Sequence, residues 1–281
     1  MSPDPTELHT LRNNRTQQDW DSFAVHRQRT TEILRQQGGI GGKSLAILGV
    51  GNGNDIDLSQ LVSAYALITL VDIDDQAIQR CLARLPAISQ KQIRVLSPID
   101  VSGIYHAQRS ASNLTPEQFA NLLERASNPP VTELELERYD VVASTCMLSQ
   151  LIDTVHHSVP AQHPRVTELV LAVRDGHLEL LSRITNPSGS LVLVSDFVST
   201  DTWPEMLESP DDQFTSAVEE MIKRQNFFTG LNPAVLVQKL SPQSNDRFQS
   251  IRVHPPWRWR MGPRGFAVVA IEATRNESPI P

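Results

Sequence analysis

Gly49, Gly51, Gly53 and Asp72 are the residues of this chain whose types and spacing can do chemistry together. The glycines occupy alternate positions directly after an apolar run, and the acid stands 19 residues beyond the last of them. A turn from a strand straight into a helix needs dihedrals that a Cβ hinders, and a ligand lying on that turn needs bare backbone beneath it. The helix behind the turn offers unpaired N–H groups to an anion. An acid at the tip of the neighbouring strand sits about a ribose away and accepts hydrogen bonds from its hydroxyls. The pattern points to a nucleoside derivative as ligand.

The elements that must hold these residues can be read around them. Leu45, Ala46, Ile47 and Leu48 form a continuous apolar run, the mark of a parallel strand buried on both faces. Leu58, Leu61, Val62 and Tyr65 follow at the spacing of a helix with one buried stripe, with Asn54 or Asp55 placed to cap its first turn. Leu67 to Val71 reads as the returning strand, which ends at Asp72.

The glycine spacing narrows the ligand. A dinucleotide site prefers G-x-G-x-x-G/A, and reading from Gly49 that third position is Asn54. The G-x-G-x-G found here resembles the first motif of the class I S-adenosylmethionine-dependent methyltransferases. The resemblance implies S-adenosyl-L-methionine as cofactor, with Gly49, Gly51 and Gly53 under its methionine part and Asp72 on both ribose hydroxyls. Asn54 and Ile73, beside the third glycine and the acid, go with them as candidate contacts. Asp100 and Val101, after the third strand, take the family's adenine-binding positions. Thr145 opens the tract Thr145 to Leu151, which matches the fourth motif in position. The family often has an acid just before the first glycine; this chain has Leu48 there, so that contact is missing or supplied by another group.

The resemblance covers roughly residues 43 to 273 as an order of elements, and it implies an α/β fold: a seven-stranded, mostly parallel sheet with helices on both faces and an antiparallel closing hairpin. A helix from Asp75 to Leu85, a strand at Ile93 to Leu96, and a helix begun by Thr115-Pro116-Glu117 lead to a fourth strand at Tyr139 to Ser144. A helix with Val166, Leu169, Val173, Leu180 and Ile184 on one face passes through a turn at Asn186 to Gly189 into a fifth strand, Leu191 to Ser195. A helix at Pro233 to Leu240, a short strand near Ser250 to Val253 and a longer one from Phe266 to Glu272 close the fold. Asn128-Pro129-Pro130-Val131 superficially resembles an amine-gripping N-P-P motif of some family members. It precedes the fourth strand and lacks the aromatic, so it reads as a loop.

Residues 37 to 275 are expected to form the methyltransferase domain, residues 1 to 36 an N-terminal helical extension or lid, and 276 to 281 a loose C-terminus. Met1 to Thr16 reads as a loose end as well. Two segments exceed what the fold needs: Gln18 to Gln36, with Trp20, Phe23, Ala24, Arg27, Thr31 and Leu34, and the insertion at 200 to 230, with Trp203, Phe214, Phe227 and Phe228. Each serves either as a lid over the cofactor's open end or as an anchor for extra helices.

At 281 residues and 40% hydrophobic content the chain can bury a substantial core. A net charge of -7 argues against an extended nucleic-acid surface, with Arg252, Arg258, Arg260 and Arg264 around two tryptophans as a local exception. A solvated hairpin with its Trp residues packed inward is the favoured reading of that exception. Cys81 and Cys146 offer neither a disulfide framework nor a metal set, which suits a reduced, cytoplasmic setting. The polar start and the lack of any apolar run near the ~20 residues of a membrane span leave no expected membrane partner.

A sulfonium methyl is already electrophilic, so such a protein chiefly holds an acceptor in line and excludes water. Sequence therefore marks cofactor residues well and catalytic ones poorly. Gln150, His156 and His157 follow the fourth strand on the acceptor side and are the candidate catalytic positions, although surface or capping duty is the commoner role of such residues. Asp196, ending the fifth strand, faces the pocket or caps a loop. The expected partner is a small-molecule acceptor. A nicotinamide-dependent oxidoreductase and a non-catalytic module that keeps the fold remain as alternatives.

Overall fold

The computed structural model describes residues 5–39, 42–105, 114–130, 134, 137–159 and 163–277. Eight strands among them form one sheet: β1 (Ser44–Leu48), β2 (Leu67–Val71), β3 (Ile93–Leu96), β4 (Tyr139–Thr145), β5 (Thr185–Ser199), β6 (Phe248–Val253), β7 (Trp257–Met261) and β8 (Arg264–Arg275). Their order is β3-β2-β1-β4-β5-β8-β6, with β7 also on β8. The first five run parallel, with Leu45 opposite both Ile68 and Val141, and β8 enters antiparallel beside β5.

The apolar run of β1 explains its central place. Ala46 and Leu48 point into one core, Leu45 and Ile47 into the other, and all four are completely buried. The same alternation recurs at Val142 against Val141 in β4 and at Leu193 against Val192 in β5. Such strands need cover on both sides. Helices α2 (Ala24–Gly38), α3 (Leu58–Leu61) and α4 (Asp75–Leu82) supply Leu34, Leu61 and Ile78 to one face. Helices α5 (Pro116–Ser127), α6 (Met147–Ser158), α7 (Val166–Ile184), α8 (Phe214–Lys223) and α9 (Pro233–Leu240) supply Phe119, Leu151, Leu180, Phe214 and Leu236 to the other. Thr115 starts α5 with a reciprocal cap to Gln118.

Where seven strands were expected there are eight, and the reason is Pro255-Pro256. Proline has no N–H to give to a ladder. The outer partner of β8 is therefore cut in two, β6 pairing Val253 with Ile271 and β7 pairing Trp257 with Val268. The expected turn at residues 186–189 lies inside β5 instead: Tyr139 pairs with Thr185 and Val141 with Ser190, so the four residues between bulge out of the ladder.

Helix α3 is shorter than its apolar spacing predicts, and its cap is Asp57, whose carboxylate accepts from Ser59 N, rather than Asn54 or Asp55. The N-terminal segment is not loose either. Pro5–Thr16 forms helix α1, docked on the rest of the chain. Asn276 is tied in at the other end, donating from its backbone N–H to Arg247 O at 2.9 Å. Val131 and residues 278–281 lie outside the described residues. Among the described residues no helix is long and apolar enough to cross a membrane.

In the 200–230 segment Trp203 and Phe214 are buried and stacked at 5.7 Å, which makes them anchors of that insertion. Trp257 and Trp259 pack inward, as the hairpin reading expects, while Arg258 pairs with Asp211 and Arg264 with Asp201. Both cysteines are free and buried.

Candidate cofactor site

Strand β1 stops at Leu48 and the chain turns sharply, with Gly49, Gly51 and Gly53 all at positive φ. Their missing side chains do different jobs. A Cβ on Gly49 would lie 2.7 Å from that of Met147, and one on Gly53 only 2.2 Å from Cys81 Sγ, so these two glycines let α6 and α4 close onto the turn. A Cβ on Gly51 would meet only Asn13 Oδ1, at 2.8 Å, from α1. Gly51 is thus bare toward an element outside the sheet and its two helix layers.

Asp72 lies at the tip of β2 beside this turn. Its Oδ2 accepts from Gly51 N at 2.7 Å and its Oδ1 from Asp74 N at 2.9 Å. A carboxylate has about four acceptor positions, so one on each oxygen stays available for a pair of hydroxyls. Burial pushes its carboxyl up from 3.8 to about 6, against the pull of those backbone N–H groups. Ile73 is half-buried beside it.

The two adenine candidates follow β3. Asp100 holds its own loop: Oδ1 accepts from Ser102 N, Ser102 Oγ and Gly103 N, and Oδ2 from Tyr105 N. One position on Oδ2 is left, enough for a single N–H of an amino group. Val101 is buried next to it. Thr145, buried at the end of β4, pairs with Val194 of β5. The glycines, Asp72, Ile73, Asp100, Val101 and Thr145 all lie at or just beyond the carboxyl ends of β1 to β4, where ligands of open α/β sheets bind.

Helix α1 covers this region through polar groups. Asn13 donates to Asp74 Oδ2 at 3.0 Å, Asn52 donates to Asn13 O at 2.6 Å, and Asn54 donates to Thr16 O at 2.7 Å. His9 stacks on Tyr105 and meets its hydroxyl at 2.5 Å. Burial lowers His9 to about 3. Arg12 pairs with Asp153 and reaches Gln150 O at 3.4 Å. The loop after α1 is held in turn by Trp20, sandwiched between Arg27 at 3.5 Å and Arg84 at 4.2 Å from its ring centre. Asn54, expected to touch cofactor, gives its side chain to Thr16 and Arg84 in this structure.

The catalytic candidates separate. Gln150 sits in the first turn of α6, half-buried, and donates to Cys146 O at 3.3 Å. His156 and His157 are exposed in the last turn of that helix, and at 1.5 Å per residue they stand ~14 Å along it from Met147, away from the strand ends. Only Gln150 is brought near the site.

The structure brings together a second group that the sequence leaves apart. His26 of α2, Asp55 beyond the glycine turn and Cys146 after β4 place their N, O and S atoms within 4.8 Å of one another. Asp196 of β5 accepts from Ser149 Oγ at 2.6 Å, and burial pushes its carboxyl up to about 6. In sequence Asp55 reads as a helix cap and Asp196 as an acid that faces the pocket or caps a loop; nothing local joins them to His26 and Cys146.

No family model matches this chain, and no curated protein sequence does. Among solved structures it is similar to an O-methyltransferase family protein from Burkholderia thailandensis, at 10% identity over 96% of this chain and 60% of that one, with a TM-score of 0.45. It is also similar to a rRNA methylase from Streptococcus thermophilus, at 12% identity over 86% and 92% with a TM-score of 0.37. A third is an arsenic(III) S-adenosylmethionine methyltransferase from Chlamydomonas reinhardtii, at 10% over 92% and 75% with a TM-score of 0.39. Likeness at this level says nothing of chemistry, and the strand order stands without it: five parallel strands, an antiparallel β8 beside β5 and a glycine turn after β1 give the chain the Rossmann-like fold of the class I methyltransferases.

Proposed function

We propose that this chain transfers a methyl group from S-adenosyl-L-methionine to a small-molecule acceptor. The observation that carries the reading is Asp72: a carboxylate at the tip of β2, tied by Gly51 N–H to the glycine turn and with an acceptor position left on each oxygen. That arrangement suits the two hydroxyls of a ribose. The bound cofactor would supply an electrophilic sulfonium methyl, and the chain has then to hold an acceptor in line and keep water out. Asp72 holds the sugar, Asp100 and Val101 meet the base, and Thr145 lines the end toward the acceptor.

Helix α1 acts as the lid. It meets the turn through the side chains of Asn13, Asn52 and Asn54 rather than through an apolar stripe, so it can lift at small cost. Helix α2 serves as anchor, with Ile33 and Leu34 in the core. The setting is cytoplasmic on this reading, with the two buried thiols reduced.

Isothermal titration with S-adenosylhomocysteine tests the reading. Asp72→Ala should weaken binding about 100-fold, the ~3 kcal/mol of two hydrogen bonds to a charged group. Unchanged affinity in a variant with native circular dichroism would overturn it. A non-catalytic module that keeps the fold is the second reading, favoured by α1 lying on the turn. Cofactor binding without turnover across a broad acceptor panel would establish it instead.

A further inference from the structure

Helix α2 lies over β4, β5 and β7, and β6 is the strand at that edge of the sheet. Arg252 of β6 stands opposite Glu272 of β8. Glu272 falls in step with Val268 and Ala270, which belong to the core under α2, so Arg252 projects on that same face. Between α2 and this strip of the sheet the surface opens into a groove of about 440 Å³, within the range of ligand clefts. The groove is separate from the glycine turn: β4, β5 and β8 stand between β6 and β1 in the sheet.

Its lining has two parts. Val25, Ile33, Pro255 and Trp257 give it an apolar bed, with Val25 63% exposed at the mouth. Arg29 of α2 and Arg252 of β6 bring a guanidinium to each wall. The nearby acids are already engaged. Glu32 is held by Arg35 at 3.4 Å and Gln36 at 2.9 Å, and the buried Glu272 by His254 at 2.5 Å. Among the described residues the side chains of Arg29 and Arg252 have neither a hydrogen bond nor an ion pair. Arg258 and Arg264, from the same arginine-rich stretch, differ in this: they pair with Asp211 and Asp201. Two uncompensated cations on one concave, partly apolar surface raise its potential for an anion.

We propose that this groove binds an organic anion, a carboxylate carried on an apolar or aromatic body. Each guanidinium presents paired N–H donors that match a carboxylate, and the bed of Val25, Ile33 and Trp257 takes the body beside it. The site uses no residue of the glycine turn and stands apart from the methyl-transfer reading. Trp257 nevertheless links the two regions. Its indole N–H donates to His26 Nδ1 at 3.1 Å, and His26 Nε2 lies 3.9 Å from Cys146 Sγ at the start of α6. The indole proton of Trp257 is therefore a reporter of occupancy inside the groove.

Nuclear magnetic resonance on the full chain at neutral pH tests it, reading the indole N–H signal of Trp257, which is identified by its loss in Trp257→Phe. The probes are phenylacetate, its uncharged counterpart phenylacetamide, inorganic phosphate and a short single-stranded RNA. Phenylacetate should shift the signal saturably with a Kd on the order of 1 mM, the range open to so small a ligand. Phenylacetamide should bind about tenfold more weakly or worse, because it lacks the charge. Arg29→Gln and Arg252→Gln, both at exposed positions, should each raise the Kd for phenylacetate about tenfold, the loss of one charged hydrogen-bonding partner. No saturable shift up to about 10 mM overturns the proposal. So does equal affinity for the amide, or unchanged affinity in either arginine variant. Inorganic phosphate that binds as tightly as phenylacetate makes this a bare anion site and overturns the organic body. RNA that shifts the signal at lower concentration than phenylacetate assigns the groove to nucleic acid and overturns the proposal as well.

Discussion

Single side chains at the turn have little freedom to change. At Gly53 a methyl group would meet Cys81 Sγ at 2.2 Å, with φ at +67°. Gly53→Ala should therefore cost about 3 kcal/mol, combining left-handed strain with overpacking, and urea unfolding will show it as a lower midpoint at constant slope. Gly51→Ala meets only an amide oxygen of α1, so much of its cost should fall on α1 docking rather than on the core. The glycines and Asp72 were legible because a turn that excludes Cβ and an acid at a strand tip leave a mark in residue type. Asp55 and His26 left none. Their meeting joins residues 29 positions apart through α2, whose place against β4, β5 and β7 no local pattern encodes.

At the level of elements, contact chemistry decided what could be read. Strands β1, β4, β5 and β8 showed themselves because each is apolar on both faces, and α5 because a proline and a capping box announce it. Helix α1 falls within the expected helical extension, but its residues up to Thr16 read as loose because it docks through His9, Arg12, Asn13 and Thr16, and polar contacts have no hydrophobic period. The same feature gives it a low cost of release. Asn13→Ala, which removes the bond to Asp74, should raise the dissociation rate of S-adenosylhomocysteine roughly threefold to tenfold, as expected for about 1 kcal/mol, with little change in melting temperature. Stopped-flow displacement measures it; an unchanged rate would mean that α1 is a fixed wall. Pro255-Pro256 was equally visible in sequence, but its effect depends on which strand lies beside it, and only the pairing with β8 turns two prolines into a divided edge.

For the whole molecule, four buried titratable groups act against each other. The folded state holds the protons of Asp72 and Asp196 up to about 6, so ionising them lowers stability as pH rises from 3.8 to 6. His9 and His177 are lowered to about 3 and about 4 by burial; the unfolded chain takes up their protons first, so stability falls as pH drops below 6.5. The two pairs oppose one another between pH 4 and 6, and the overall profile there should be flat. A difference measurement isolates one member. Asp196→Asn should match wild type near pH 4 and be more stable by up to about 3 kcal/mol at pH 7, because it removes a carboxyl that burial raises from 3.8 to about 6. Calorimetry at both pH values tests this, and an equal effect at both would exclude ionisation as its source. A fold that tolerates such a charge is less stable than it need be.

The placement of α1 also bears on how the protein is best handled at the bench. Any purification tag attached ahead of residue 5 hangs from the helix that rests on Gly51 and Asp74, whereas an extension after Asn276 leaves from the far end of β8. Ligand affinities measured on an amino-terminal fusion would then describe the tagged hinge as much as the protein, and a carboxyl-terminal tag is the safer handle.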